Sequence, residues 1–215
     1  MKTLKNFLVV FLLPIIGHSQ YSQNDWKERD TWMPLETLFE LAEIGEGTKV
    51  ADIGCHEGYL SIHLANTVGA EGQVYAVDVR DDRLDRLKQH LKSRDLNNVS
   101  VILGDYDNPK LPKDTLDVVI IMDTYHEMTD YEVILEHVYK SLKPGGKLII
   151  LEKLKDRVKN STRREQTNAH TLGPKYVKEE MMNANFKVTK QLDDLGNWQN
   201  DSSKVMWLLV AEKKE

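Results

Sequence analysis

Val50-Ala51-Asp52-Ile53-Gly54-Cys55-His56-Glu57-Gly58 decides how this chain is read. It is an apolar strand that ends in an acid and turns through glycines into a helical segment beginning near Tyr59. Such a turn brings backbone close to a ligand. A second short apolar run, Val74 to Asp78, again closes on a carboxylate, which suits a ribose diol. The pair marks the nucleoside-binding half of a doubly wound α/β domain.

Working outward, helical spacing covers Trp32, Leu35, Leu38, Phe39, Leu41, Ala42 and Ile44, with Pro34 in the first turn and Gly45 and Gly47 after the end. Strands are predicted at Lys49–Ile53, Gln73–Val77, Val99–Leu103, Leu116–Met122 and Lys147–Leu151, and helices at Tyr59–Val68, Arg83–Ser93 and Tyr131–Leu142. Val118-Val119-Ile120-Ile121 is apolar without alternation, as in a sheet covered on both faces. Lys143-Pro144-Gly145-Gly146 has the residue order of a type II turn. The stretch Lys153–Pro174 reads as polar and irregular, followed by a helix over Lys175–Asn183. Phe186–Leu192 and Val205–Ala211 are joined by a polar loop around Trp198, with no room for a crossover helix, and are therefore an antiparallel hairpin. The expected fold class is α/β: a doubly wound, Rossmann-like, mostly parallel seven-stranded sheet with a C-terminal antiparallel hairpin.

Bulk properties narrow the function further. With 215 residues, one domain with one sizeable core accounts for the length. A net charge of -5 with interspersed signs offers no footprint for a nucleic-acid backbone. Cys55 is the single cysteine, which excludes an intrachain disulfide and a cysteine-rich zinc site. The histidines show no metal-ligand spacing, so no metal is expected. Lys2 and Lys5, the apolar run Phe7–Ile16 and Gly17-His18-Ser19 have the order of a secretory signal peptide cut after Ser19. Residues 1–19 are then a leader and 20–215 a single domain. The leader's run is too short to span a bilayer, so the mature chain, exported to the periplasm or secreted, would have no stable membrane span, whereas an uncleaved leader would serve as an anchor.

The chain resembles class I S-adenosylmethionine-dependent methyltransferases of the small-molecule type, grouped with ubiquinone-biosynthesis enzymes. The resemblance covers roughly Trp32 to Lys213. It rests on the Val50–Gly58 and Val74–Asp78 segments, on Gly104-Asp105, on Asp123 to Glu127, and on Leu142 to Gly146. It implies S-adenosylmethionine as cofactor and a small-molecule acceptor. Gly54 and Gly58 would let backbone approach the cofactor without a Cβ in the way. Asp52 would sit near the methionine ammonium group and Asp78 would accept both ribose hydroxyls. Asp105 would contact the adenine amino group and Tyr106 pack on its ring. The family more often has glycine at His56, whose side chain must point away from the cofactor or touch it. Asp123 closes the fourth strand, where the methyl-transfer site is expected. Tyr125 and His126 are the candidates to border it, His126 either as a general base or as a structural cap of the next helix. Arg163, Arg164 and His170 would cover the acceptor or belong to a solvated charged loop, and Trp26 and Trp32 would form an N-terminal lid, with plain core packing the other reading of Trp32. A second function, from another class, is an exported binding or scaffold protein that keeps the fold without catalysis. A nicotinamide-dependent oxidoreductase fits less well, since this loop lacks Gly-x-Gly-x-x-Gly.

Overall fold

The structure, a computed structural model, describes residues 23–214; the proposed leader lies outside the described residues. Two helices, α1 (Gln23–Arg29) and α2 (Leu35–Ala42), precede β1 (Lys49–Ile53). Alternation follows through α3 (Tyr59–Val68), β2 (Gln73–Asp78), α4 (Asp81–Ser93), β3 (Val99–Leu103), β4 (Leu116–Met122), α5 (Tyr131–Ser141) and β5 (Leu142–Lys155). The chain closes with α6 (Arg163–Asn168), α7 (Pro174–Asn183), β6 (Phe186–Leu192) and β7 (Lys204–Lys213). The seven strands form one sheet in the order β3-β2-β1-β4-β5-β7-β6. β1 pairs in parallel with β2 and β4, and β7 inserts antiparallel between β5 and β6.

The unbroken apolar run in β4 is explained by burial on both faces. Val118 and Ile120 join the cluster that holds Leu38, Leu60, Leu64 and Leu87 of α2 to α4. Val119 and Ile121 face the other way, into the cluster of Leu135, Val138, Val177 and Met181 from α5 and α7. Side chains on a strand alternate faces, so a doubly covered strand has no polar side to show. Strand order reverses between β1 and β4, which opens a crevice at their carboxyl ends.

Two segments differ from the sequence expectation. β5 is longer at both ends. It starts at Leu142, passes an irregularity at the Pro144-Gly145 turn, where Gly145 has φ +73°, and runs on to Lys155. The extension Glu152 to Lys155 reads as polar, yet it pairs with Trp207 to Lys204 of β7. Glu152 and Lys153 are buried because side chains from the β4 end meet them. The stretch after it is not irregular but contains α6, opened by a capping box in which Thr162 and Glu165 bond each other's backbone N–H. The Thr-x-x-Glu spacing was present in the sequence. Gln166 pins this excursion, its amide donating to the Val158 and Lys159 carbonyls and accepting from the Gly173 N–H.

Candidate active site

A cavity of about 600 Å³ occupies the crevice at the carboxyl ends of β1, β2 and β4. Asp52, Gly54, His56, Asp78, Asp105, Tyr106 and Asp123 line it, as do Trp26 and Arg29 of α1. A cavity of this size accommodates a nucleoside-sized ligand.

Neighbouring protein calls for glycine at both positions of the turn. Gly54 has φ +81°, and a Cβ there would lie 2.4 Å from both Oγ1 and Cγ2 of Thr124. Gly58, at φ +95°, is the residue before α3, and its Cβ would lie 2.2 Å from Leu87 Cδ1 of α4. Close approach is therefore demanded by neighbouring protein at both positions. Gly54 still borders the cavity, whereas Gly58 does not.

His56 occupies the left-handed region, with φ +51°, which is why glycine is favourable there and a side chain costs about 1 kcal/mol. Its ring lines the cavity, and burial followed by the nearby Arg83 guanidinium lowers its pKa to about 4. The imidazole is accordingly neutral at pH 7. Its backbone N–H donates to Asp78 Oδ2 at 2.9 Å, while Arg80 N–H donates to Oδ1 at 2.9 Å. Each Asp78 oxygen keeps a further lone pair, so the carboxylate is held in place with capacity for two hydroxyls. Glu57 is buried and receives Arg83 and Arg86 of α4 at 2.6 and 2.7 Å.

Asp52 is 2 % exposed and accepts a 2.6 Å hydrogen bond from the Ser61 hydroxyl. Burial, reinforced by the Asp78 charge, raises its pKa to about 7 against the opposing Ser61 bond and Arg29 charge. A buried carboxyl in that state is stabilised as an anion by any cation brought into the cavity. Arg29 is buried too, with its guanidinium 4.3 Å from the Tyr59 ring and 5.1 Å from the Trp198 ring. The Trp26 ring lines the cavity, and its buried indole N–H has no acceptor among the described residues. Trp26 and Arg29 stand one helical turn apart on α1, the i, i+3 spacing that puts both on one face. Arg29 is a cavity residue that no sequence motif marks, since it lies in a mostly polar stretch before the first strand. Trp32 packs on Trp198 at 5.0 Å between ring centroids, half-buried against the core, which agrees with the packing reading.

After β3, Asp105 and Tyr106 are exposed, and Asp105 accepts from Lys110 Nζ at 3.0 Å. At the β4 end, Asp123 adopts φ +54° and forms a tight ion pair with Lys153. Burial raises the Asp123 pKa even so. Tyr125 does not border the site. It is fully buried, and its hydroxyl donates to Glu180 of α7 at 2.9 Å, because the 3-10 turn Tyr125–Glu127 rotates it under α5 and α7. Arg163 also serves that carboxylate, at 2.6 Å, and so is committed to joining α6 to α7. His126 is likewise buried and outside the cavity wall. Its Nδ1 faces both oxygens of Glu152, at 2.9 and 3.0 Å. Burial alone would lower the His126 pKa, but the Glu152 charge and hydrogen bond outweigh it and the net shift is upward. The Glu152 carboxylate also accepts the His126 backbone N–H. Glu127, the last residue of the Asp123–Glu127 segment, reaches the cavity in their place.

Comparison with known proteins places this arrangement. The chain is 34% identical over 117 residues to the demethylmenaquinone methyltransferase of a Geobacillus species, covering 54% of this chain and 50% of that one. The protein of the same name from Listeria welshimeri is 32% identical over 117 residues, covering 54% and 49%. The chain thus spans about half the length of the curated relatives it matches. The crystal structure of a SAM dependent methyltransferase from Aquifex aeolicus has the same fold, with a TM-score of 0.72, 20% identity, and coverage of 89% of this chain and 98% of that one. A family model described as a methyltransferase domain matches residues 44–210, from just before β1 into β7. The chain therefore belongs to the methyltransferase domain family, of the class I, S-adenosylmethionine-dependent kind.

Proposed function

We propose that this chain transfers a methyl group from S-adenosylmethionine to a small-molecule nucleophile by in-line displacement. The observation that carries this reading is one cavity shared by Asp52 and Asp78, a buried carboxyl suited to an ammonium and a carboxylate pre-set for a diol. The cofactor supplies an activated methyl group on a sulfonium. The protein's own work is positional. Asp52 takes the charged end of the ligand, Asp78 its hydroxyls, and the Trp26 N–H offers a further donor. Aligning the donor with a bound acceptor removes barrier on the order of 7 kcal/mol in favourable cases. Pro109, Met122, Met128 and Ile134 give the cavity an apolar stretch for an acceptor. The curated relatives' name, demethylmenaquinone methyltransferase, supports an acceptor of small-molecule type. Export through the N-terminal leader belongs to the same proposal and is supported by the order of its basic, apolar and small residues; among the described residues no helix is long and apolar enough to cross a membrane.

Asp78→Ala removes two charge-assisted bonds to the ligand and leaves two backbone N–H groups without an acceptor. Affinity for S-adenosylhomocysteine should fall roughly a hundredfold, about 3 kcal/mol. Calorimetry showing unchanged affinity would remove the cofactor assignment. Tight binding without transfer to any member of a broad acceptor panel would favour the exported, non-catalytic binding protein. Native mass spectrometry of the mature chain would read the N-terminus and any retained adenosyl ligand together.

A further inference from the structure

His126, Glu127 and His170 are 44 residues apart at most in the sequence, yet the fold gathers them beside the cavity. The Glu127 carboxylate lies 3.8 Å from His126 Nε2 and 3.7 Å from His170 Nδ1, and the three ligand atoms all fall within 4.8 Å of one another. Those separations are too long for hydrogen bonds. An ion held at 2.0 to 2.1 Å by each ligand needs tetrahedral edges of about 3.3 Å, so the two Glu127 separations would have to close by about 0.5 Å.

The buried member of the group is already set up as a ligand. Glu152 can only accept when ionised, so the Nδ1 facing its two oxygens carries the proton. The other nitrogen, Nε2, faces the Glu127 carboxylate at 3.8 Å, and in the neutral ring it carries the lone pair that a metal ion would take. A carboxylate behind a histidine in this way fixes the ring and raises its basicity in metal sites. The other two ligands are open to solvent, with side chains 62% and 73% exposed, which leaves an entry path. An exposed Glu–His pair contributes little by itself.

We propose that His126 Nε2, His170 Nδ1 and a Glu127 oxygen bind a divalent metal ion of the zinc type, with a remaining coordination position open to the cavity that Glu127 lines. Two imidazoles and one carboxylate suit such an ion better than magnesium or calcium, which favour oxygen alone. Three protein ligands with one position free is the pattern of catalytic rather than structural zinc. On the methyl-transfer reading above, that position would take the acceptor's nucleophilic oxygen or sulfur, with its proton released to solvent on coordination.

The test is titration of tag-free full-length chain, stripped with chelator, with Co2+ followed by its visible absorption, and with Zn2+ in competition. One Co2+ per chain with a tetrahedral or five-coordinate band, displaced by Zn2+, is the expected result. His170→Ala and Glu127→Gln should each weaken Co2+ binding at least tenfold, and Glu152→Gln, acting through His126, by 10- to 100-fold. His170→Ala should leave S-adenosylhomocysteine affinity unchanged, which shows that the variant is folded. Absence of a Co2+ band, or binding undiminished in His170→Ala, overturns the metal site. Metal binding intact with no affinity for S-adenosylhomocysteine would instead overturn the methyl-transfer reading and leave the metal site standing.

Discussion

Replacing Asp52 by Asn should make the ligand-free protein more stable at neutral pH while weakening its hold on the cofactor. The magnitude follows from burial. The carboxyl, at 2 % exposure, titrates near 7 when folded, against 3.8 when solvated. The shift is about 3 units, and at about 1.4 kcal/mol each it amounts to about 4 kcal/mol. The folded-state pKa is the higher one. Between the two values the folded chain therefore holds a proton that the unfolded chain has lost, and stability falls as pH rises. The contribution is fully present below pH 4 and gone above about pH 7. Other groups titrate in the same window, so the informative quantity is the difference between wild type and Asp52→Asn. In urea unfolding at a series of pH values, the variant should gain on the wild type by about 3 to 4 kcal/mol between pH 4 and pH 7.5, chiefly because the wild type loses stability. In calorimetry at pH 7.5 the same variant should bind S-adenosylmethionine more weakly, since its amide offers the ammonium group no charge. A difference that stays constant with pH, or that narrows toward pH 7.5, would refute the claim that Asp52 is a strained carboxyl awaiting a cationic ligand.

Two further outcomes bear on the turn and on β4. Gly54→Ala should cost about 2 to 4 kcal/mol of stability, from the positive φ and from the collision with Thr124. Thr124→Gly should recover part of that loss in a double-mutant cycle; strict additivity would show that Thr124 is not what the glycine accommodates. Tyr125→Phe should lower stability by about 1 to 2 kcal/mol through loss of the Glu180 bond, with S-adenosylhomocysteine affinity unchanged. A large loss of affinity there would place Tyr125 back at the site.

Most of the fold was legible because its signals are local. Strand-length apolar runs, punctuated by Gly and Pro, mark each β-segment, and the absence of a helix between β6 and β7 leaves only an antiparallel pairing. Two further signals are of the same local kind. The Thr162-to-Glu165 spacing announces α6, and the Trp26-to-Arg29 spacing announces a helical face. By contrast, Glu152 and Lys153 read as a polar strand exit for a sound reason. Charged groups are ordinarily exposed, and only partners distant in the chain, His126 and Asp123, make their burial tolerable.

The chain by itself determined the doubly wound sheet and the acids that close β1, β2 and β4, because periodicity and strand-end composition are properties of neighbours in sequence. Which of those side chains meet was decided by the tertiary structure. A 3-10 turn after Asp123 sends Tyr125 under α7 and brings Glu127 to the cavity, and the return of α6 delivers His170 to His126 across 44 residues of chain. No pattern in one dimension encodes such distances, since they depend on how far each connection travels before packing stops it.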